Sequence, residues 1–198
     1  MRPLSAKRLM RIVGGKWRGR ALVGPAQEGK ASPVRPTSDR LREALFNVLA
    51  HAYDDPIREA RVLDLFAGTG ALGLESLSRG AAFATFVDEG AEARGLVRQN
   101  VEALGAGGLS RLFRRDATRL GAAAPNPPVS LVFCDPPYGK DLAAPALLSC
   151  RDGGWLAPNA LIVVEEPAGS AFAFPEGFAE EERRRYGETE IAIGRLAP

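Results

Sequence analysis

The sequence predicts an α/β fold with a parallel sheet, and three observations predict it. Five largely apolar segments, at 62–66, 83–87, 109–113, 129–134 and 160–164, have the length of strands. They read as near-continuous apolar runs, as strands do when both faces of a sheet are covered. Helix-forming stretches lie between them, where parallel pairing requires crossovers.

The elements follow in order. Residues 1–9 show no periodicity and read as a tail. Arg11-Ile12-Val13 and residues 16–23 flank Gly14-Gly15, a pair suited to the positive φ angles of a tight hairpin turn. Residues 24–36, rich in Gly and Pro, read as a connector. Leu41, Ala44, Leu45, Val48, Leu49 and Ala52 then recur at i, i+3, i+4, i+7, i+8 and i+11, which predicts a helix with one apolar stripe. Thr37 or Ser38 can cap its start, and Asp54-Asp55-Pro56 ends it. Arg40 and Arg42 occupy its first turn, where the helix dipole disfavours cations, so both are expected to face a ligand.

Beyond Arg61 strands and helices alternate. The strand at 62–66 turns through residues 67–70 into a helix ending near Arg79-Gly80. The strand at 83–87 precedes a helix at 91–104 with Gly105 as its C-cap. The strand at 109–113 leads past Asp116 into a short helix, and a loop at 122–128 precedes the strand at 129–134. Residues 141–149 can be helical, although Pro145 restricts them. After the strand at 160–164, residues 180–186 and 189–196 form an antiparallel hairpin about Gly187.

Composition narrows the class. With 198 residues, 45% apolar and 25% charged, the chain is one large domain or a core with an appendage, not a disordered, collagenous or coiled-coil protein. The apolar runs are far shorter than a membrane span, and no apolar segment follows the basic start as a secretory signal requires. Cys134 and Cys150 lie in or near apolar segments and read as free thiols, which suits a reducing cytoplasm.

Charge is distributed unevenly. Residues 1–42 hold eleven Lys and Arg against Glu28 and Asp39, a net +9, which leaves −7 for the rest of a chain whose total is +2. Such polarisation points to a polyanion, and nucleic acid is the usual one.

Two motifs carry chemistry. Gly68-Thr69-Gly70-Ala71-Leu72-Gly73 follows the first of the five strands, and Asp88 ends the next strand 20 positions after Gly68. Glycines let a nucleotide approach the backbone, and the acid can accept from ribose hydroxyls. In a dinucleotide fold the first glycine directly follows the strand. Here Asp64-Leu65-Phe66-Ala67 intervene, and a negative charge at Asp64 disfavours a pyrophosphate and suits the sulfonium of S-adenosylmethionine. The second motif, Asp135-Pro136-Pro137-Tyr138, stands at the carboxyl end of an apolar strand, where ligands of open α/β sheets bind. An exocyclic amine is a poor nucleophile because its lone pair is delocalised. If the Asp135 carboxylate and the Pro136 carbonyl each accept one N–H, the nitrogen pyramidalises and the lone pair is released. Pro136-Pro137 stiffens the turn, and Tyr138 offers a flat face to a base taken from its stack. The rate then comes from orientation and charge placement, with no His, Cys or metal required.

Other residues leave two readings open. Asp116 can accept from an adenine amine or cap a helix, and Trp17, between Lys16 and Arg18, can stack on a base or pack the hairpin onto the domain. His51 reads as a helix-end surface residue, Cys134 and Trp155 as core, and residues 180–185 as a solvated edge strand.

Residues 62–73 with Asp135-Pro136-Pro137-Tyr138 resemble class I methyltransferases that act on an exocyclic amine. Residues 11–20, Arg35-Pro36-Thr37-Ser38-Asp39-Arg40 and Tyr186-Gly187-Glu188-Thr189 narrow this. Together they resemble the RsmD family of bacterial 16S ribosomal RNA guanine-N2 methyltransferases, over residues 11–196. The resemblance implies a Rossmann-like, mostly parallel seven-stranded sheet with helices on both faces, preceded by a basic hairpin and a helix. It implies a basic N-terminal part at 1–36 and a methyltransferase domain at 37–198. S-adenosylmethionine would contact Asp64, Phe66, Ala67, Gly68, Thr69, Gly70, Asp88 and Asp116, with Glu89 an alternative to Asp88 at the ribose. Asp135, Pro136, Pro137 and Tyr138 would be catalytic. Arg11, Lys16, Trp17, Arg18, Arg20, Arg35, Thr37 and Arg40 would meet 16S RNA in an assembled or assembling 30S subunit. A cytoplasmic monomer without metal or membrane contact is expected. Other classes considered are a DNA amino-methyltransferase, an RNA-binding module that keeps the cofactor pocket without catalysis, and a nicotinamide dehydrogenase.

Overall fold

The computed structural model describes residues 10–25 and 38–198. The expected tail, most of the connector, and Arg35 and Thr37 lie outside these residues.

The N-terminal hairpin is β1 (Met10–Arg11) paired antiparallel with β2 (Ala21–Leu22). Its turn is not the tight Gly14-Gly15 turn expected from the sequence. Pairing continues as Ile12 N–H donates to Arg20 O and Gly19 N–H to Ile12 O, and Gly15–Trp17 form a short 3-10 helix between. Gly15 does adopt a positive φ of 73°, with its backbone against the Ser78 carbonyl, where no Cβ fits.

Helix α1 (Asp39–Ala52) begins at Ser38, whose hydroxyl accepts from Leu41 N–H at 3.2 Å. It buries Leu45, Phe46 and Leu49, and also Arg42. The expectation that Arg42 faces a ligand is therefore corrected. Its guanidinium is fully buried, pairs with Asp39 and donates to the Arg11 carbonyl, fixing the hairpin to α1. Arg40 is exposed.

The core of the fold is one sheet. In chain order come β3 (Arg61–Leu65), α2 (Ala71–Ser78), β4 (Phe83–Val87), α3 (Ala91–Ala103), β5 (Ser110–Phe113), β6 (Val129–Cys134), α4 (Ala143–Asp152), β7 (Leu156–Pro167), β8 (Phe178–Tyr186) and β9 (Thr189–Leu196). Seven strands lie in the order β5-β4-β3-β6-β7-β9-β8, parallel except for β9 against both β7 and β8. Alternation sorts the side chains by face. Val62, Leu131, Phe133, Leu161 and Val163 join α1, α2 and α3 on one side. Leu63, Leu65, Val132, Cys134, Ile162 and Val164 meet α4 and Ala117 on the other. Helices thus cover both faces of a Rossmann-like sheet. Both cysteines are buried, free thiols.

Several boundaries differ from the sequence reading. β7 begins at Leu156 because its strand runs through Pro158-Asn159, with a shift of register between Val129 and Leu131 of β6. Asp141, at φ 50°, lies outside α4, and Pro145 falls in that helix's first turn, where no intrahelical donor is lost. No helix among the described residues is long and apolar enough to cross a membrane.

Candidate active site

Sheet register builds the site. Leu65 pairs with Val87 and with Cys134, Val87 pairs with Phe113, and Cys134 pairs with Val164. Strands β3, β4, β5 and β6 therefore end abreast. Phe66, Asp88 and Asp135, which follow β3, β4 and β6, stand with Glu165 of β7 along one edge, the carboxyl edge where open α/β sheets bind ligands. A cavity of about 1040 Å³ opens there.

The glycine loop forms one wall. Phe66 leaves β3 with φ 57°, and Gly68 and Gly70 follow at 57° and 76°. A non-glycine residue in this region costs of order 1–2 kcal/mol, here at the cavity lining. Gly70 N–H closes the turn on Ala67 O at 2.6 Å, and Ala67 N–H donates to Val87 O at 3.1 Å. Gly73 is sterically required. A Cβ there would lie 2.9 Å from the Phe86 Cζ and 3.1 Å from the Asp64 Oδ2.

Two carboxylates organise the loop. Asp64 is 2% exposed, lines the cavity and accepts from Gly73 N–H at 2.9 Å. The start of α2, whose N-cap Gly70 has no side chain, is thus compensated by an acid from β3. Burial, and secondarily the charge of Asp88, pushes the Asp64 carboxyl up to about 8, against the lowering effect of the Gly73 bond. At neutral pH burial therefore disfavours the negative charge expected from the sequence. Asp88 accepts from Gly68 N–H at 3.0 Å and from Gly90 N–H at 2.7 Å. Its carboxylate already ties the glycine loop to β4, while the neighbouring Glu89 is exposed and lines the cavity. A pyrophosphate would find the Gly68 and Gly73 N–H groups engaged by protein acids.

The opposite wall carries Asp135, Pro136, Pro137 and Tyr138, all lining the cavity. The Tyr138 hydroxyl lies 3.4 Å from the Glu165 Oε1 and 3.4 Å from the Thr189 Oγ1. Glu165 and Thr189 were not among the residues expected from the sequence. For Thr189 a signal was present, since it closes Tyr186-Gly187-Glu188-Thr189; Glu165 lies within β7, and its place beside Asp135 follows from strand register. Ser38 and Leu41 of the α1 start, with Arg115, Lys140 and Leu142, complete the border.

The remaining expected residues are placed as follows. Phe66, Ala67, Gly68 and Thr69 line the cavity, whereas Gly70 is buried behind it. Asp116 is not part of the lining, although Arg115 and Ala117 are. Its carboxylate caps the short helix Ala117–Arg119, accepting from both the N–H and the hydroxyl of Thr118 at 2.8 Å. Arg11, Lys16, Arg18 and Arg20 are exposed on the hairpin. The Trp17 indole is half-buried against the core, with the Lys16 Nζ 4.3 Å from the ring centroid, and Arg20 donates to Ala103 O at the end of α3. The hairpin thus presents its cations outward and not into the cavity.

Six carboxylates border the cavity (Asp64, Asp88, Glu89, Glu92, Asp135 and Glu165) against two cations, Arg115 and Lys140. An acidic cavity at the carboxyl edge of this sheet, behind a glycine turn whose N–H groups face protein acids, defines a class I methyltransferase. Comparison with known proteins then identifies the group within that class. The chain belongs to the RsmD family: the family described as "Conserved hypothetical protein 95" matches residues 10–195. It is 43% identical over 156 residues to "Ribosomal RNA small subunit methyltransferase D" of Escherichia coli (strain K12), covering 79% of this chain and 74% of that one. The Haemophilus influenzae protein of the same name is 35% identical over 176 residues, 88% of this chain and 87% of its own. Among solved structures, the Escherichia coli protein yhhF superposes with a TM-score of 0.77 at 35% identity, covering 96% of this chain and 98% of that one.

Proposed function

We propose that this chain transfers a methyl group from S-adenosylmethionine to the exocyclic N2 amine of one guanine in 16S ribosomal RNA, acting as a monomer on an assembled or assembling 30S particle. The observation that carries the reading is the meeting, in one cavity, of the Asp64–Leu72 wall and the Asp135–Tyr138 wall. Its volume, about 1040 Å³, is just above the ~300–1,000 Å³ range of small-molecule sites and suits a nucleoside-sized cofactor beside a flipped base. The lining chemistry fits the cofactor as well. An excess of acids favours a cationic ligand, and Glu89 and Asp88 offer acceptors at the end of β4.

When bound, S-adenosylmethionine supplies an electrophilic methyl carbon whose bond to sulfur breaks, leaving the electron pair on sulfur, as the bond to nitrogen forms. The chain's residues do the rest. Asp135 and the Pro136 carbonyl hold the two N–H bonds of the amine and aim its lone pair, and the Asp135 carboxylate takes the proton the methylated nitrogen sheds. Tyr138 stacks on the base, a contact worth about 1–3 kcal/mol in nucleic-acid sites. The hairpin cations meet RNA phosphates.

The test is transfer of labelled methyl to 30S particles from a strain lacking the gene, followed by mapping of the modified nucleotide. Methylation of a single small-subunit guanine is expected, with Asp135→Ala reducing kcat at least ~100-fold, the scale of removing one group that stabilises a transition state. Methylation of duplex DNA alone would replace this reading with that of a DNA amino-methyltransferase. Cofactor binding without turnover on any RNA would leave an RNA-binding module.

A further inference from the structure

Asp135 and Pro136 account for the amine but not for the base that bears it. Guanine, adenine and cytosine each present an NH₂ with two hydrogens, so two acceptors on that group do not choose among them. The ring nitrogen beside the amine does choose. Guanine N1 carries a hydrogen and donates, whereas adenine N1 and cytosine N3 are bare acceptors. A site that selects guanine needs a third acceptor next to the pair that grips the amine.

Glu165 stands where that acceptor belongs. Cys134 and Val164 are paired in parallel register, so Asp135 and Glu165 are the next residues on adjacent strands, whose backbones run about 4.8 Å apart. Both line the same cavity. Glu165 is 8% exposed, so the opening that remains to it is the cavity itself. Its Oε1 is 3.4 Å from the Tyr138 hydroxyl, next to the ring proposed to stack on the base. A carboxylate has two oxygens and about four acceptor positions, so one such group can serve several donors at once. Unlike an amide or a hydroxyl, an ionised carboxylate cannot rotate to become a donor. It rewards N1–H and repels a bare N1 lone pair.

We propose that Glu165 is a specificity-determining residue that accepts the N1–H of the target guanine, with the Tyr138 hydroxyl, itself beside the Thr189 Oγ1, positioning its carboxylate. This rests on the amine methylation proposed above and names the base it selects.

The experiment uses 30S particles reconstituted with 16S RNA that carries either guanine or 2-aminopurine at the mapped position. 2-Aminopurine keeps the 2-amine but has a bare N1. Wild-type protein is expected to prefer guanine by about 10- to 100-fold in kcat/KM, the range for a site left with an unmatched polar group. Glu165→Gln, which can turn its NH₂ toward a bare N1, lowers the guanine rate, raises the 2-aminopurine rate and brings their ratio within about threefold of one. Glu165→Ala lowers only the guanine rate. Because each ratio compares the same two substrates across proteins, intrinsic differences in amine reactivity cancel. Thermal midpoint and cofactor affinity, measured on both variants, separate loss of selectivity from loss of fold. A guanine-to-2-aminopurine ratio that stays at the wild-type value in both variants overturns the role of Glu165 and leaves guanine methylation standing. A modified base that maps to adenine or cytosine overturns the guanine reading itself, and the role of Glu165 with it.

Discussion

If Asp64 meets the cation of S-adenosylmethionine, as proposed above, cofactor binding is a proton-linked event. The perturbation is pH, with Asp64→Asn as its control. In the ligand-free protein burial holds the Asp64 carboxyl at about 8, against an ordinary value of 3.8. At pH 6 it is therefore almost entirely protonated, and a cationic cofactor that needs the carboxylate must displace that proton. Below the folded value, affinity should rise about tenfold per pH unit, or ~1.4 kcal/mol. The cofactor's own α-amino group titrates near 7.7–8, so the clean window is about pH 5.5 to 7.5. Across it, affinity is expected to increase by roughly two orders of magnitude.

The same shift fixes the sign for the ligand-free fold. Because folding raises this pKa, Asp64 favours the folded state most at low pH, and that contribution is lost as pH climbs from about 4 to about 8. Titration calorimetry in two buffers of different ionisation enthalpy counts the protons. About one should be released on cofactor binding at pH 6, and none in Asp64→Asn, whose affinity should be weak and flat with pH. A wild-type affinity that does not change between pH 5.5 and 7.5, with no proton released, would refute the assignment of Asp64 to the cation.

Two further outcomes are expected. Gly73→Ala drives a methyl group against the Phe86 ring and the Asp64 carboxyl, so it should lower stability by about 1–3 kcal/mol in denaturant melts and weaken cofactor binding together; unchanged melting would mean that the loop is looser than its geometry. Neutralising Lys16, Arg18 and Arg20 together should weaken binding to 30S particles and reduce the salt slope by roughly one unit per lost phosphate contact, with cofactor affinity untouched.

The strands were legible because burial on both faces writes itself as a continuous apolar run. The 83–87 and 129–134 segments coincide with β4 and β6. Where that signal is interrupted, the reading shortened: Pro158-Asn159 hid the first part of β7, which tolerates them because a bulge relaxes its pairing there. Arg42 was read as facing a ligand because sequence pattern registers charge and not the carbonyl and carboxylate that meet it when buried. The glycine and proline motifs were legible since they demand backbone geometry that few residues tolerate. Glu165 was not, since its place beside Asp135 follows from a strand register that no single segment contains.

The same register of contacts explains why the basic segment is more than a charged tail. Met10, Ile12 and Leu22 are buried in the core that α1 and α2 share. Ser78, at the end of α2, donates to Gly14 O and accepts from Trp17 N–H, at 2.6 and 2.9 Å. One turn earlier Glu75, fully buried, accepts from Val13 N–H at 2.8 Å and from Arg79 at 2.7 Å. The other end of α2 carries the glycine loop, and there Asn100 donates to Thr69 O at 2.9 Å while exchanging bonds with the N–H and carbonyl of Val23. An eight-residue helix spans about 12 Å, so cavity wall and hairpin are two ends of one short rigid strut. A hairpin held this way would set the distance between the phosphates it is proposed to meet and the amine that Asp135 is proposed to aim. A basic tail on a loose linker would supply the same attraction but no such ruler, and it would have no use for buried Glu75 and Asn100, whose desolvation is offset only by the backbone groups and the arginine they meet.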